Sequence, residues 1–470
     1  MEYIEQVKAL MRAGRPSDAV GILVRRLDIE PQDYLALLGL ADIEYTRGKA
    51  GLTSHMFKRV AEMARLSGDM TTSALAVNGM GRCFDDMGDL EMSFTAFSEA
   101  LNLMPDDFHC LNNVGLTQFK RGDTDGALET LRAAAKKEPN RQSVNLNLAM
   151  AHLKKRDWST GWSHWERALG SPDRPSREDL ASLPKWYYDP HAAKAGDEGA
   201  EDNMFVLPQG DSVPVMCYGE QGIGDEVLFA SCLPDFCDVV EKPVIETDPR
   251  LRSLFARSFP KAAVHGTRGM APHWLPSSGV GEKVAIGSLP AAFRVAGQFP
   301  GTPYLVPDPD RVRMVRALLD DLPGKKVGLA WHGGTMRTGI ADRSLHLAEM
   351  MGGLGDTTDT TFVSLQYQDA TDEVAAFDNV HQFPYLTLTS DYDDTAALVS
   401  SLDAVICVAT AVVNLSGALG TPTWVLVPDG APWRYPDDVD KHPWFNNVNL
   451  VRKTDGGWRV RNAYEAATAA

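Results

Sequence analysis

The feature that most restricts this chain is a self-similarity with a period of 34 residues in its first third. Gly81 recurs as Gly115, Gly88 as Gly122, Ala100 as Ala134 and Pro105 as Pro139. A period of this length is the mark of helical hairpins that stack side by side, because a single hairpin cannot bury its apolar face alone. The residue types fit that geometry. Small residues let two antiparallel helices approach, large apolar residues fill the groove to the next pair, and glycine supplies the turn between them. Proline stops the second helix, since it lacks the backbone N–H that a helix needs.

The offsets within each period resemble those of the tetratricopeptide repeat. Val77, Met80, Gly81, Phe84, Gly88, Phe97, Ala100 and Pro105 occupy the signature positions of one unit. Leu111, Val114, Gly115, Gly122, Ala127, Leu131, Ala134 and Pro139 occupy those of the next. Gly14, Ala19, Leu23 and Pro31 mark a first unit, and Gly48 a second with a few extra residues before Gly88. Leu148, Ala149, Gly161, Trp165 and Ala168 mark a fifth, with Arg156 where glycine is usual. The reading is therefore an all-α repeat solenoid over residues 1–170. Its groove suits capture of a protein or peptide, although the pattern alone also fits a spacer or an oligomerisation module.

Charge divides the chain unevenly. Residues 1–170 carry 21 Lys and Arg against 23 Asp and Glu, whereas the remainder carries 25 against 40, a net of −15. So acidic a remainder excludes nonspecific nucleic-acid binding, which needs a basic surface to release counterions. Any anion must be held there by local donors. The six cysteines form no Cys-x-x-Cys pair and no zinc spacing, and read as reduced thiols of a cytoplasmic protein. The opening MEYIEQVKALMRAG is amphipathic and acidic, so no secretory signal is expected. Ala404 to Pro428 lacks charge over a length that could span a bilayer, but Asn414, Ser416, Gly417, Gly420 and Pro422 interrupt it. A buried strand, a helix and a second buried strand are expected instead.

Residues 171–210 are rich in Pro, Gly and charge and read as a linker, with LPKWYYDP inside it as a docked segment. Beyond it, short apolar runs alternate with helical stretches: VPVMCYG (213–219), PVIET (243–247), AVHG (263–266), KVAIG (283–287), KVGLAW (326–331), TFVSLQ (361–366), AVICV (404–408) and TWVLV (423–427). That alternation predicts parallel α/β sheets in two Rossmann-like lobes, 211–322 and 323–470. Ligands of such sheets bind beyond the carboxyl ends of the strands.

Three loops fall there. Gly219, Gly222 and Gly224 precede Asp225 and a helix, an arrangement suited to an anion or to a charged catalytic carboxylate, although on residue type alone a helix cap is the simpler reading of Asp225. The second loop follows Trp331 with Gly333, Gly334, Arg337 and Arg343, either a phosphate clamp or an exposed basic loop. In the third, Thr410 and Ala411 open a helix whose N-terminus could hold a diphosphate. Asp-x-Asp occurs at 308–310, 391–393 and 438–440, and helix capping accounts for the first two. No His-x-x-x-His pair is present, and no metal is expected.

The ordered set GEQGIGD (219–225), the LAW loop with Arg343 and Ser344, DTAAL (394–398), NLSGALGTPTWVL (414–426), PWRY (432–435) and HPWF (442–445) resembles one family, as does WSTGWSHWER (158–167) at the end of the repeats. It is the bacterial tetratricopeptide proteins with a C-terminal glycosyltransferase domain similar to the heptosyltransferases. The resemblance implies a GT-B fold, two lobes facing across a cleft, and a metal-independent enzyme with no cofactor beyond its nucleotide-sugar donor. It implies transfer of the sugar to a protein acceptor held by the repeats, with flagellin as one acceptor in related proteins. Asp225 takes the place of the proposed general base. Gly222, Gly224, Trp331, Gly333, Gly334, Arg343, Thr410, Ala411, Asn414 and Arg434 take places near the donor. Ala409 and Asn414 stand where the family has Asp and His, so a catalytically degenerate scaffold, or protein-interaction module, is the alternative.

Overall fold

The computed structural model describes residues 2–188, 213–334, 343–454 and 456–469. The chain divides into two compact units, Met1–Ala151 and His152–Ala470.

The first unit is helical throughout. Its helices are α1 (Glu2–Arg12), α2 (Pro16–Ile29), α3 (Tyr34–Thr46), α4 (Ala50–Leu66), α5 (Met70–Asp86), α6 (Leu90–Leu103), α7 (Phe108–Lys120), α8 (Thr124–Lys137) and the start of α9 (Gln142–Lys154). From α1 to α8 each helix packs on the next, as stacked hairpins require. An aspartate opens most of them. The side chains of Asp33, Asp69, Asp89, Asp107 and Asp123 each accept the backbone N–H three residues on, satisfying a donor that the first turn cannot. Gly14, Gly48, Gly88 and Gly122 take positive φ in the turns. Gly68, absent from the 34-residue register, does the same between α4 and α5. The extra residues of the second unit lie in those two helices, which run to 17 residues each against 13 for α3 and α7. Close helix approach explains two more glycines. A Cβ on Gly81 would stand 2.5 Å from the Phe97 ring, and one on Gly115 would stand 2.6 Å from Leu131.

The second unit begins with the end of α9 and with α10 (Trp158–Arg167). The sequence pattern puts the border at residue 170, but α10 belongs to the second unit by its packing. Trp162 and Trp165 are buried with Trp433 and Trp444, and Trp158 packs against Phe299 and Trp444. The Trp165 indole N–H donates to the Gly287 carbonyl at 2.8 Å. Arg156 provides the turn before α10 at φ 60°, the left-handed conformation that glycine takes in the other turns. The segment LPKWYYDP is docked over its described part: Trp186 N–H donates to Lys283 O, and Lys283 N–H to Pro184 O.

Two parallel sheets follow. The first has the order β3-β2-β1-β4, from β1 (Val215–Tyr218), β2 (Pro243–Glu246), β3 (Ala263–His265) and β4 (Glu282–Ala285). The second has the order β10-β9-β8-β5-β6-β7, from β5 (Lys325–Ala330), β6 (Thr360–Ser364), β7 (Val380–His381), β8 (Ala404–Val408), β9 (Thr423–Val427) and β10 (Val448–Arg452). All eight expected strands form, and β7 and β10 add to them. The uncharged run 404–428 is β8, the helix Ala411–Leu419 and β9, as expected. Among the described residues no helix is long and apolar enough to cross a membrane. The second sheet is covered by the helix Val460–Ala469, whose Val460, Ala463, Tyr464 and Ala467 pack on Val327, Phe362, Ile406 and Leu426.

Candidate functional site

The loops after β1, β5, β8 and β9 carry the residues singled out in the sequence, and most of them meet. After β1 the chain turns at Gly222, which precedes the helix Ile223–Phe229. Asp225 lies in its first turn but does not cap it. Its carboxylate pairs instead with the guanidinium of Arg434, from the loop after β9. Arg434 is stacked over the Trp433 ring at 4.6 Å, and its Nε is buried without a partner among the described residues. The helices Ile223–Phe229 and Ala411–Leu419 pack together. A Cβ on Gly224 would lie 3.0 Å from that of Ala411, so glycine is what allows the approach. Asn414, 6% exposed, donates its amide to the Gly224 carbonyl at 2.7 Å. It is therefore occupied in joining the two loops.

Thr410 precedes the helix Ala411–Leu419 in an extended conformation, and its hydroxyl makes no capping bond, leaving the first-turn amides without a side-chain cap. Gly333 lies against this turn, where a Cβ would come within 2.9 Å of the Ala409 carbonyl. Its N–H donates to Ser344 Oγ at 3.2 Å. Arg343 Nη2 donates to the same Ala409 carbonyl at 2.6 Å. Burial pushes the Arg343 guanidinium down from its ordinary range, with Tyr435, Arg434, Tyr367 and Asp225 as its charged or titratable neighbours. Two guanidiniums and one carboxylate thus sit together beside an uncapped helix N-terminus, which is the composition of an anion site.

One expected residue, Trp331, is placed elsewhere. Trp331 is fully buried in the core of the second sheet, its indole N–H donating to Glu373 at 3.0 Å, because the residue after β5 continues the inward alternation. Gly334 takes φ 87°, and its carbonyl accepts from the hydroxyl of Tyr367, a neighbour of Arg343, at 3.5 Å. Arg337 lies outside the described residues. Glu220, close to Asp225 in sequence, is fully buried in an ion pair with Arg174 at 3.0 Å. Of the Asp-x-Asp runs, Asp308 and Asp391 cap helices and Asp438 pairs with Arg156.

A second layer, unread in the sequence, supports the glycine loop. Arg268 Nη1 donates to the Gln221 carbonyl at 2.6 Å and its Nη2 to Asp248 at 2.6 Å, and it also pairs with Glu226. Glu226 accepts from the Asp248 N–H at 3.0 Å, and burial pushes its carboxyl up to about 7 against the pull of Arg268. Cavities of about 710 and 540 Å³ lie at the amino ends of the strands, beside Pro323 and Thr361 and beside Pro214 and Pro243 respectively, on the side away from these loops.

A tetratricopeptide-repeat family model matches residues 4–51 and 115–160. The N-terminal helices are tetratricopeptide repeats. The chain is 28% identical to Protein FlbA of Caulobacter vibrioides over 417 residues, covering 82% of this chain and 65% of that protein. A match over 82% of the chain extends well past the repeats into the sheets. It is also 27% identical to the Protein CTR9 homolog of Arabidopsis thaliana over 124 residues, covering 26% of this chain and 11% of that one. The chain thus spans less than two thirds of the length of either relative. Among solved structures, TTC0263, a thermophilic tetratricopeptide protein of Thermus thermophilus, is 23% identical with a TM-score of 0.31, covering 38% of this chain and 93% of its own. YrrB, a tetratricopeptide protein with an unusual peptide-binding site, is 14% identical with a TM-score of 0.28, covering 36% of this chain and 86% of its own.

Proposed function

We propose that the two parallel sheets form a GT-B glycosyltransferase and that the repeats present a protein acceptor to it. The observation that carries the reading is the meeting of Asp225, Arg434 and Arg343 beside the N-terminus of the helix Ala411–Leu419, at the carboxyl ends of strands from both sheets. In this reading the diphosphate of a nucleotide-sugar lies on the helix amides and the two guanidiniums. Asp225 accepts the proton of an acceptor hydroxyl, the hydroxyl oxygen bonds to the anomeric carbon, and the bond from that carbon to the phosphate oxygen breaks. The charge left on the nucleoside diphosphate is stabilised by Arg343, Arg434 and the amides. None of these steps asks for a metal or a further cofactor. Flagellin is the first acceptor to try.

The scaffold reading has one observation in its favour. Ala409 offers no side-chain donor, and Asn414 is committed to Gly224. Melting curves against a panel of nucleoside diphosphates and their sugars separate the two. A ligand that binds the folded chain must raise its stability, by about 2.7 kcal/mol at a hundred times the dissociation constant. The transferase reading expects such a rise with at least one base, and a flat response across the panel selects the scaffold.

A further inference from the structure

The arginine that faces Asp225 stands on a segment with no helix or strand of its own, Ala431–Tyr435, so its conformation must be imposed by what surrounds it. A buried lysine does this. Lys154, the last residue of α9, has a side chain 3% exposed. Its ammonium donates to the Ala431 carbonyl at 2.8 Å and to the Tyr435 carbonyl at 2.8 Å, and it pairs with Asp437 at 2.8 Å. Three acceptors meet three N–H donors, which is the condition for keeping an ammonium out of water. The two carbonyls bracket Arg434 on either side.

Neighbouring contacts act on the same segment. Arg156 pairs with Asp438, and Arg452 donates to the carbonyls of Pro436 and Val439. Between the bracketing carbonyls, Trp433 is enclosed by Trp162, Trp165 and Trp444, and it is the ring on which Arg434 rests. The ion pair itself is weak support for stability, because burying the lysine costs desolvation while Asp437 stays 62% exposed. What this one supplies is a fixed backbone on both sides of a functional cation.

We infer that Lys154 is a positioning residue, which holds Ala431–Tyr435 so that Arg434 stands against Asp225 and thereby sets the anion affinity of the site. The second half of that statement rests on the proposed diphosphate site; the first does not.

The test uses the full chain, with hydrogen exchange read over 431–439 and over β8 as control, and with inorganic pyrophosphate as the anion probe in melting titrations. In Lys154→Gln, exchange over 431–439 should quicken about tenfold while β8 stays as in the wild type. Pyrophosphate affinity should fall about fivefold, and Lys154→Arg, which keeps charge and donors, should recover most of both. Asp437→Asn, milder and at the surface, should quicken the same segment to a smaller degree, and it decides the matter if Lys154→Gln does not fold. Unchanged exchange over 431–439 in a folded Lys154→Gln, or in Asp437→Asn where Lys154→Gln fails to fold, overturns the inference. Faster exchange with unchanged pyrophosphate affinity overturns its functional half. A wild type that ignores pyrophosphate refutes the diphosphate site itself, and the exchange data then judge Lys154 alone.

Discussion

Replacing Asp225 by Asn should tighten the binding of a nucleoside diphosphate while removing turnover. In the unliganded chain the Asp225 carboxylate already holds Arg434, so an anion that needs this guanidinium must first displace it. Hydrogen bonds to charged groups contribute about 1.5–3 kcal/mol when well shielded. The two side chains here are 28% and 20% exposed, so a discount for solvent brings the pair to roughly 1 kcal/mol. At about 1.4 kcal/mol per tenfold, Asp225→Asn should bind the diphosphate about fivefold more tightly. The fold should lose about 1 kcal/mol with this pair and no more, because Asp225 makes no helix cap that Asn would have to replace. Transfer should fall by roughly 10²–10⁴, since an amide cannot take the acceptor's proton. Arg434→Gln should move affinity the other way, by about 1.5–3 kcal/mol, because the loss of the guanidinium also leaves Asp225 facing the diphosphate. Calorimetric titration of one nucleoside diphosphate into the wild type and both variants, at low and at high salt, reads all of this. Added salt should narrow the differences. Unchanged or weaker binding by Asp225→Asn would refute the competition for Arg434.

The remaining predictions concern stability. The Glu226 carboxyl is pushed up to about 7 by burial, against an ordinary value of 4.5. Between those values the folded chain keeps a proton that the unfolded chain has released, so this group makes stability fall as pH rises from about 4.5 to about 7. The melting temperature of Glu226→Gln relative to the wild type should therefore climb between about pH 5 and about pH 7.5, and a constant difference would show that Glu226 is ionised throughout. In the repeats, Gly81→Ala should destabilise by about 1–3 kcal/mol, because its Cβ meets the buried Phe97 ring at 2.5 Å. Gly21→Ala, mid-helix and with only the flexible tip of Arg25 nearby, should instead stabilise by about 0.5–1 kcal/mol. Equal effects in chemical denaturation would contradict the packing account.

Much of this architecture can be read from residues because its causes are local. The glycine period marks the turns, and continuous apolar runs such as AVICV and TWVLV mark strands buried on both faces. β7 escapes such a reading because it is two residues long, and β10 because VNLVR is only half buried and so gives no continuous run. The domain border is misplaced because α10 carries the small residue of a repeat, Gly161, while its tryptophans pack with rings at 433 and 444. Trp331 reads as a loop residue from the glycines that follow it, although its ring completes the core below. Asp225 and Arg434 are each legible from their loops, but their pairing across 209 positions is not. Lys154 looks like any solvent-facing residue at a helix end, because its two carbonyl partners lie 277 and 281 positions away.

In the proposed site, Arg343, Arg434 and the helix at Ala411 hold the diphosphate of a nucleotide-sugar. The most direct measurement is an equilibrium titration of the full chain with each common nucleoside diphosphate and with the corresponding free nucleoside. At least one diphosphate should bind saturably and one-to-one, its nucleoside far more weakly, and Arg343→Gln should lose roughly ten- to hundredfold in affinity. Saturable binding by none of them, or equal binding of diphosphate and nucleoside that Arg343→Gln leaves unchanged, would contradict the proposed site.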